Sequence, residues 1–153
     1  MPKKSAGLLL YREVSGRLEV LLVHPGGPFW AQKDDGAWSI PKGEIGDGED
    51  PLTAARREFE EETGFSAEGE VIPLHTLRQP SGKLVHAFAM QKDIDASRVQ
   101  SNTFDMEWPP RSGKYQAFPE VDRAAWFSLA SARSKIVQGQ AGFLSQLEAK
   151  LGR

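Results

Sequence analysis

Three glutamates, Glu58, Glu61 and Glu62, fall at spacing i, i+3, i+4. On a helix, that spacing puts their carboxylates on one face, where like charges repel. They also sit near the expected C-terminal end of the helix, where the backbone dipole already disfavours anions. A helix selected for stability alone would carry lysines there. A bound hard cation is the simplest compensation, and carboxylate oxygens suit Mg²⁺ or Mn²⁺. Taken by itself the stretch also fits a solvated acidic helix, because Arg56–Glu60 and Arg57–Glu61 are i, i+4 pairs that partly neutralise it.

The helix itself is marked at both ends. Asp50 is an N-cap residue, Pro51 suits the first helical position, and Gly64 suits the left-handed residue after the last turn. Leu52, Ala55 and Phe59 recur at i, i+3, i+7 and give the helix an apolar stripe to dock on a core. A glycine-rich loop, with Gly43, Gly46 and Gly48, leads into it.

Taken together, residues 43–65 run Gly43, five residues, Glu49, seven residues, Arg57-Glu58-Phe59, one residue, Glu61-Glu62, one residue, Gly64-Phe65. This resembles the Nudix box, G-x5-E-x7-R-E-u-x-E-E-x-G-u with u aliphatic or aromatic, and every defined position is filled. The resemblance implies an α+β fold, a mixed β-sheet sandwiched between α-helices, with residues 1–153 as one domain. It implies hydrolysis of a phosphoanhydride in a substrate built as a nucleoside diphosphate linked to another group. Glu58, Glu61 and Glu62 match the family's metal-binding glutamates. Arg57 matches the arginine that orients them, with Glu49 as its acceptor. Glu58 and Glu61 are candidates for the general base within the box.

Two flanking patterns extend the likeness. Trp38-Ser39-Ile40-Pro41-Lys42-Gly43 reads W-x-x-P-K-G, like the lead-in of Nudix enzymes that act on diadenosine or inositol polyphosphates. Glu120, six residues before Trp126, is similar to the C-terminal part of diadenosine polyphosphate hydrolases, where a glutamate joins the metal site. Glu120 is therefore a further metal-ligand and base candidate. Pro80, 15 residues past Phe65, resembles a feature of ADP-ribose pyrophosphatases instead.

Length and composition bound the alternatives. A chain of 153 residues with 39% hydrophobic and 26% charged residues is one globular domain with a real core. A net charge of −2 gives no general attraction to nucleic acid or membrane, so an anionic substrate needs a local cluster of bases or a metal. The absence of cysteine excludes disulfides, thiolate ligands and cysteine nucleophiles. No apolar run reaches transmembrane length, and the short run after the N-terminal lysines reads as a first strand of a cytoplasmic protein.

The remaining elements must position the box. Residues 5–12 and 17–24 read as strands of a hairpin, and the apolar run Val20–Val23 suits a strand covered on both faces. Residues 25–37 are loop, and a short strand at 37–40 is expected to deliver Gly43 to the sheet edge. Residues 70–79 and 83–91 read as two further strands. Residues 92–119 read as irregular, apart from a turn of helix near 93–99. Residues 120–127 read as a last strand, Ser128 caps a helix over 129–136, and 140–151 form a final amphipathic helix with Phe143, Leu144, Leu147 and Leu151 inward.

Substrate-binding candidates follow from side-chain chemistry. Lys42, Arg78 and Lys83 are phosphate contacts. Trp30, Trp108 and Tyr115, in two loops, are stacking surfaces for a base. The expected partner is a small nucleotide, with no extended nucleic acid and no membrane. A dinucleoside polyphosphate or nucleoside triphosphate heads the substrate classes, followed by an ADP-ribose-type compound. The competing class is a non-catalytic nucleotide-sensing or interaction module, which often lacks box glutamates. An RNA-decapping enzyme is a third reading, disfavoured by the acidic charge balance.

Overall fold

The computed structural model describes residues 3–153. The long strands β1 (Lys4–Val14) and β2 (Arg17–Pro25) form the expected hairpin, pairing from Tyr11–Val20 to Val14–Arg17. Beyond Tyr11 the two strands diverge. Residues 39–44 fill the wedge between them. Ser39 exchanges both backbone hydrogen bonds with Val23, the Pro41 carbonyl accepts from Leu8 N–H, and β3 (Lys42–Glu44) then pairs antiparallel with β1. The strand expected at 37–40 is therefore displaced to Lys42–Glu44. The segment changes partner at Pro41, which has no N–H to give to a ladder.

The rest of the sheet is mixed. β6 (Leu84–Gln91) runs parallel to β1 along eight residue pairs. The stretch expected as one strand at 70–79 is two fragments, β4 (Ile72–Pro73) and β5 (Leu77–Arg78), both antiparallel to β6. Exposed His75 and Thr76 lie between them. β9 (Val121–Ser128) closes the other edge against β2. Residues 92–119 are more ordered than their composition implies. After a short 3₁₀ turn at Ala96–Arg98, β7 (Thr103–Glu107) and β8 (Tyr115–Pro119) form a separate hairpin. The seven turn-prone residues between the strands hide its alternation from a sequence reading.

Helices cover both faces. Along β1, Ala6, Leu8 and Leu10 join one core cluster while Leu9 and Tyr11 join the other, as alternation in a strand requires. The first cluster holds Ala54, Ala55 and Phe59 of α1 (Pro51–Thr63). The second holds Ala132 of α2 (Leu129–Lys135) and Phe143, Leu144 and Leu147 of α3 (Ala141–Lys150). Each fully buried Phe or Leu among these contributes about 1.5–3 kcal/mol relative to an exposed one. Among the described residues, no helix is long and apolar enough to cross a membrane.

The ends of α1 match the sequence signals. Asp50 accepts from Thr53 N–H at 2.8 Å, and Gly64 has φ of 80°. The carbonyls left over at the last turn are taken by a crossing segment. Gln100 N–H donates to the Thr63 carbonyl at 2.9 Å and Asn102 N–H to the Glu61 carbonyl at 2.8 Å. Asn102 in turn accepts from Glu120 N–H at 2.9 Å. The acidic end of α1 is thus tied through one residue to the start of β9.

Candidate active site

Arg57 is the hub of the box. Its guanidinium meets Glu49 side-on, Nε to Oε2 and Nη2 to Oε1, both at 2.9 Å. This is the bidentate geometry in which an arginine is held most firmly. Nη1 donates to Glu58 at 2.9 Å and to Glu61 at 3.2 Å, and Nη2 also reaches the Glu44 carbonyl at 3.0 Å. Arg57 holds the Glu49 carboxyl down to about 2, with help from Gly46 N–H. One arginine therefore fixes the loop at Glu44 and Glu49 and the helix at Glu58 and Glu61.

Glu62 points elsewhere. Its Oε1 accepts Lys42 N–H at 3.1 Å, linking α1 to the start of β3. Burial, then the charges of Glu58 and Glu120, push its carboxyl up to about 8. Burial followed by Glu61 and Glu120 raises Glu58, and burial with Glu61 raises Glu120. Neighbouring carboxylate charge thus adds to burial in raising Glu58, Glu62 and Glu120. Such a donor set fits a hard divalent cation, which favours the ionised forms.

The carboxylates do not form a ready-made cage. Among the described residues, no three acidic or histidine side chains converge into a preformed metal site. The helical spacing that places the glutamates on one face splits them at finer scale. Glu62 and Glu120 border a cavity of about 290 Å³. Glu61 lines a neighbouring groove with Arg57, Glu60, Gly64 and Asn102. Glu58 lies against Gly43, where a Cβ built on the glycine would come within 2.0 Å of its Oε2. Only glycine leaves room for that carboxylate.

The cavity collects several sequence candidates and leaves others out. Trp30, Lys42, Glu62 and Glu120 line it, with apolar walls from Val23, Pro25, Ala37, Val121 and Val137. Burial and the charge of Lys83 lower the Lys42 ammonium, and Lys83 itself is not part of the cavity lining. Arg78 is exposed on β5 and does not line the cavity. Trp108 stacks edge-on against Phe29, with ring centroids 5.6 Å apart, and Tyr115 is 70% exposed on β8. Both belong to the β7–β8 hairpin and lie outside the cavity lining, because the pairing of β7 with β8 carries this segment out of the main sheet.

Three participants carried no signal in the sequence. Gln140 is 1% exposed, and its Oε1 accepts Ile40 N–H at 3.0 Å across 100 residues of chain. Its Nε2 donates to Ser39 Oγ at 3.1 Å. Gln79 lines the cavity beside Gly139, whose missing Cβ leaves room for the Gln79 stem. Asn102 acts through its backbone alone, so no side-chain motif could mark it.

A family model described as NUDIX domain matches residues 1–147. The chain belongs to the NUDIX family. Its segment matching the bis(5′-nucleosyl)-tetraphosphatase (asymmetrical) of Caenorhabditis elegans is 38% identical over 68 residues, 44% of this chain and 45% of that enzyme. An RNA pyrophosphohydrolase of Erythrobacter litoralis is 46% identical over 65 residues, 39% of this chain and 38% of that protein. The chain thus spans less than half the length of the curated relatives it matches. In structure it resembles a C. elegans Ap4A hydrolase binary complex, with TM-score 0.68, 25% identity and 98% of each chain covered. The NUDIX domain of Shewanella oneidensis NrtR, complexed with ADP ribose, superposes with TM-score 0.69 at 17% identity over 99% of this chain and 89% of that one, and shows the shared NUDIX fold.

Proposed function

We propose that this chain, acting as one NUDIX domain, is a metal-dependent pyrophosphohydrolase that uses water to cut a phosphoanhydride of a small nucleotide. The observation that carries this reading is the pair Glu58 and Glu61 held by Arg57, next to Glu62 and Glu120, which border a cavity that also holds Lys42 and Trp30.

Glu58, Glu61, Glu62 and Glu120 would hold Mg²⁺ or Mn²⁺, which supplies charge neutralisation for the polyphosphate and acidifies the attacking water. The chain's own residues do the rest. Arg57 fixes the orientation of Glu58 and Glu61 from behind. Lys42 offers positive charge to a phosphate in the cavity, with the charge of Lys83 acting on it. The apolar walls and Trp30 suit the nucleoside end, and Ser39 and Gln140 hold the floor. Glu58, Glu61 and Glu120 are the base candidates. A base has to reach its water within hydrogen-bond distance.

A dinucleoside polyphosphate is the first substrate class, because the partial match to a bis(5′-nucleosyl)-tetraphosphatase and the structural likeness to an Ap4A hydrolase agree with the W-x-x-P-K-G lead-in. A nucleoside triphosphate is second. A 5′-triphosphorylated RNA end is a third, favoured by the RNA pyrophosphohydrolase likeness and opposed by the net charge of −2. The complete box argues against a non-catalytic module. A panel of these substrates with Mg²⁺ or Mn²⁺, scored for phosphate, pyrophosphate and mononucleotide, tests the reading. Release of a mononucleotide from a dinucleoside polyphosphate supports it, and no cleavage of any member contradicts it.

A further inference from the structure

His24 is polar and fully buried, and the mechanism above does not use it. It stands at the end of β2, where pairing with β9 slips. His24 opposes Arg123 and Pro25 opposes Val121, so Asp122 is the extra residue of a β-bulge. Bulges re-aim side chains. Here the bulge brings Asp122 Oδ1 to 2.9 Å from His24 Nδ1. The other ring nitrogen, Nε2, meets the Lys33 carbonyl at 2.6 Å. The ring also packs edge-on against Trp38, 5.2 Å between centroids.

These two contacts reach both flanks of the cavity. Lys33 belongs to the loop at 26–37 that carries Trp30. Asp122 follows Glu120 and Val121, which line the cavity at the start of β9. Between them Gly26 N–H donates to the Glu120 carbonyl at 3.0 Å. The approach is so close that a Cβ on Gly26 would stand 1.9 Å from the Pro119 carbonyl oxygen. One imidazole therefore spans β2, the Trp30 loop and the strand start that presents Glu120.

We propose that His24 and Asp122 are a positioning pair that holds the Trp30 loop at a fixed distance from Glu120 across the cavity. The effect on turnover rests on the hydrolase reading, and the effect on the loop does not. The loop has a second, separate anchor. Lys135 pairs with Asp34 at 2.6 Å and Asp35 at 3.0 Å, and Gly36 N–H donates to the Ser134 carbonyl at 3.0 Å. Residues 34–37 are held there, on α2. Residues 27–33 are tied to the rest of the fold by the His24–Lys33 and Phe29–Trp108 contacts, and inside the stretch Trp30 N–H donates to Gly27 and Lys33 N–H to Trp30.

Backbone hydrogen exchange read by mass spectrometry on Asp122→Ala and Asp122→Asn separates the two anchors. Asp122 lies at the surface, so both changes spare the core. Asparagine keeps an amide that can pair with His24 Nδ1 whichever way the proton lies, and alanine does not. Loss of the hydrogen bond to His24 predicts about tenfold faster exchange across 27–33 in Asp122→Ala, with 34–37 and α1 unchanged and with Asp122→Asn near wild type. On the nucleotide cut by the wild type, KM should rise about 5–10-fold in Asp122→Ala with a smaller change in kcat, and recover in Asp122→Asn. Unchanged exchange in Asp122→Ala, or equally fast exchange in both variants, overturns the pair. A wild type that cuts no nucleotide overturns the hydrolase reading, and the exchange result still decides the pair.

Discussion

The Glu58 carboxylate occupies the place where a side chain on Gly43 would stand, 2.0 Å from the position of a Cβ. The first residue of the box and the first glutamate of its helix are thus fitted to each other, fifteen positions apart. Gly43→Ala should drive Glu58 out of place. We expect an activity loss of about a hundredfold or more with little change in stability, because the clash is with the free end of the Glu58 side chain alone. Steady-state kinetics and a thermal melt measure both, and full activity in Gly43→Ala would show that Glu58 need not lie there.

Arg57→Lys tests the hub. Lysine cannot reproduce the side-on pairing with Glu49 while also reaching Glu58, Glu61 and the Glu44 carbonyl. Turnover or Mg²⁺ affinity should fall about 10–100-fold, as for other residues that orient metal ligands. The melting temperature should change little, since partly exposed ion pairs contribute about 0–1 kcal/mol each. A variant that melts much lower but turns over normally would make Arg57 a structural residue only.

Glu62 predicts an unusual pH dependence. Burial, Glu58 and Glu120 raise its carboxyl from 4.5 to about 8 in the folded protein, against the opposing effect of Lys42 N–H. The folded chain therefore holds this proton more tightly than the unfolded chain. That contribution to stability is complete below about pH 4.5 and is lost as pH rises through about 8. In metal-free protein the melting temperature should fall between those limits, and Glu62→Gln should flatten the slope. Glu49 acts in the opposite sense and in a lower window, since its carboxyl is held at about 2 and its contribution disappears as pH falls toward that value. Binding of Mg²⁺ near neutral pH should release a proton from Glu62, so titration calorimetry in two buffers of different ionisation enthalpy should give different heats. Identical heats would place Glu62 already ionised.

Glu120 is joined to the box by backbone. Its N–H donates to Asn102, whose own N–H donates to Glu61. Glu120→Gln should therefore leave the fold intact, while reducing turnover or weakening Mg²⁺ by about tenfold or more as one ligand of the set. Trp30→Ala should instead raise KM for a nucleotide about tenfold with kcat nearly unchanged, the signature of lost uniform binding. If Glu120→Gln is kinetically silent, the likeness of this region to diadenosine polyphosphate hydrolases does not extend to chemistry.

How much could be read beforehand follows from how local each signal was. The helix α1 was legible in its caps, its apolar stripe and its fixed box positions, all within residues 50–64. The alternation that assigns Leu8 and Leu9 to opposite core clusters was equally local. The wedge at 39–44 was misplaced, because its partners on β1 and β2 are chosen by the divergence of those strands and not by its own sequence. The β7–β8 hairpin was missed, because Pro109, Pro110, Ser112 and Gly113 dominate the stretch between its strands. Within the site, the contacts from Gln140 to Ile40 and from Asp122 to His24 span about a hundred residues, and no spacing rule reaches that far.

The central claim is that the box carboxylates serve a metal-dependent hydrolysis. It is tested most directly by measuring turnover of a dinucleoside polyphosphate by wild type and Glu61→Gln, each with Mg²⁺ and with a chelator in excess. The account predicts mononucleotide release by wild type with Mg²⁺, its loss on chelation, and a fall of about a thousandfold in Glu61→Gln with an unchanged melt. Turnover that survives the chelator, or full activity in Glu61→Gln, would contradict it.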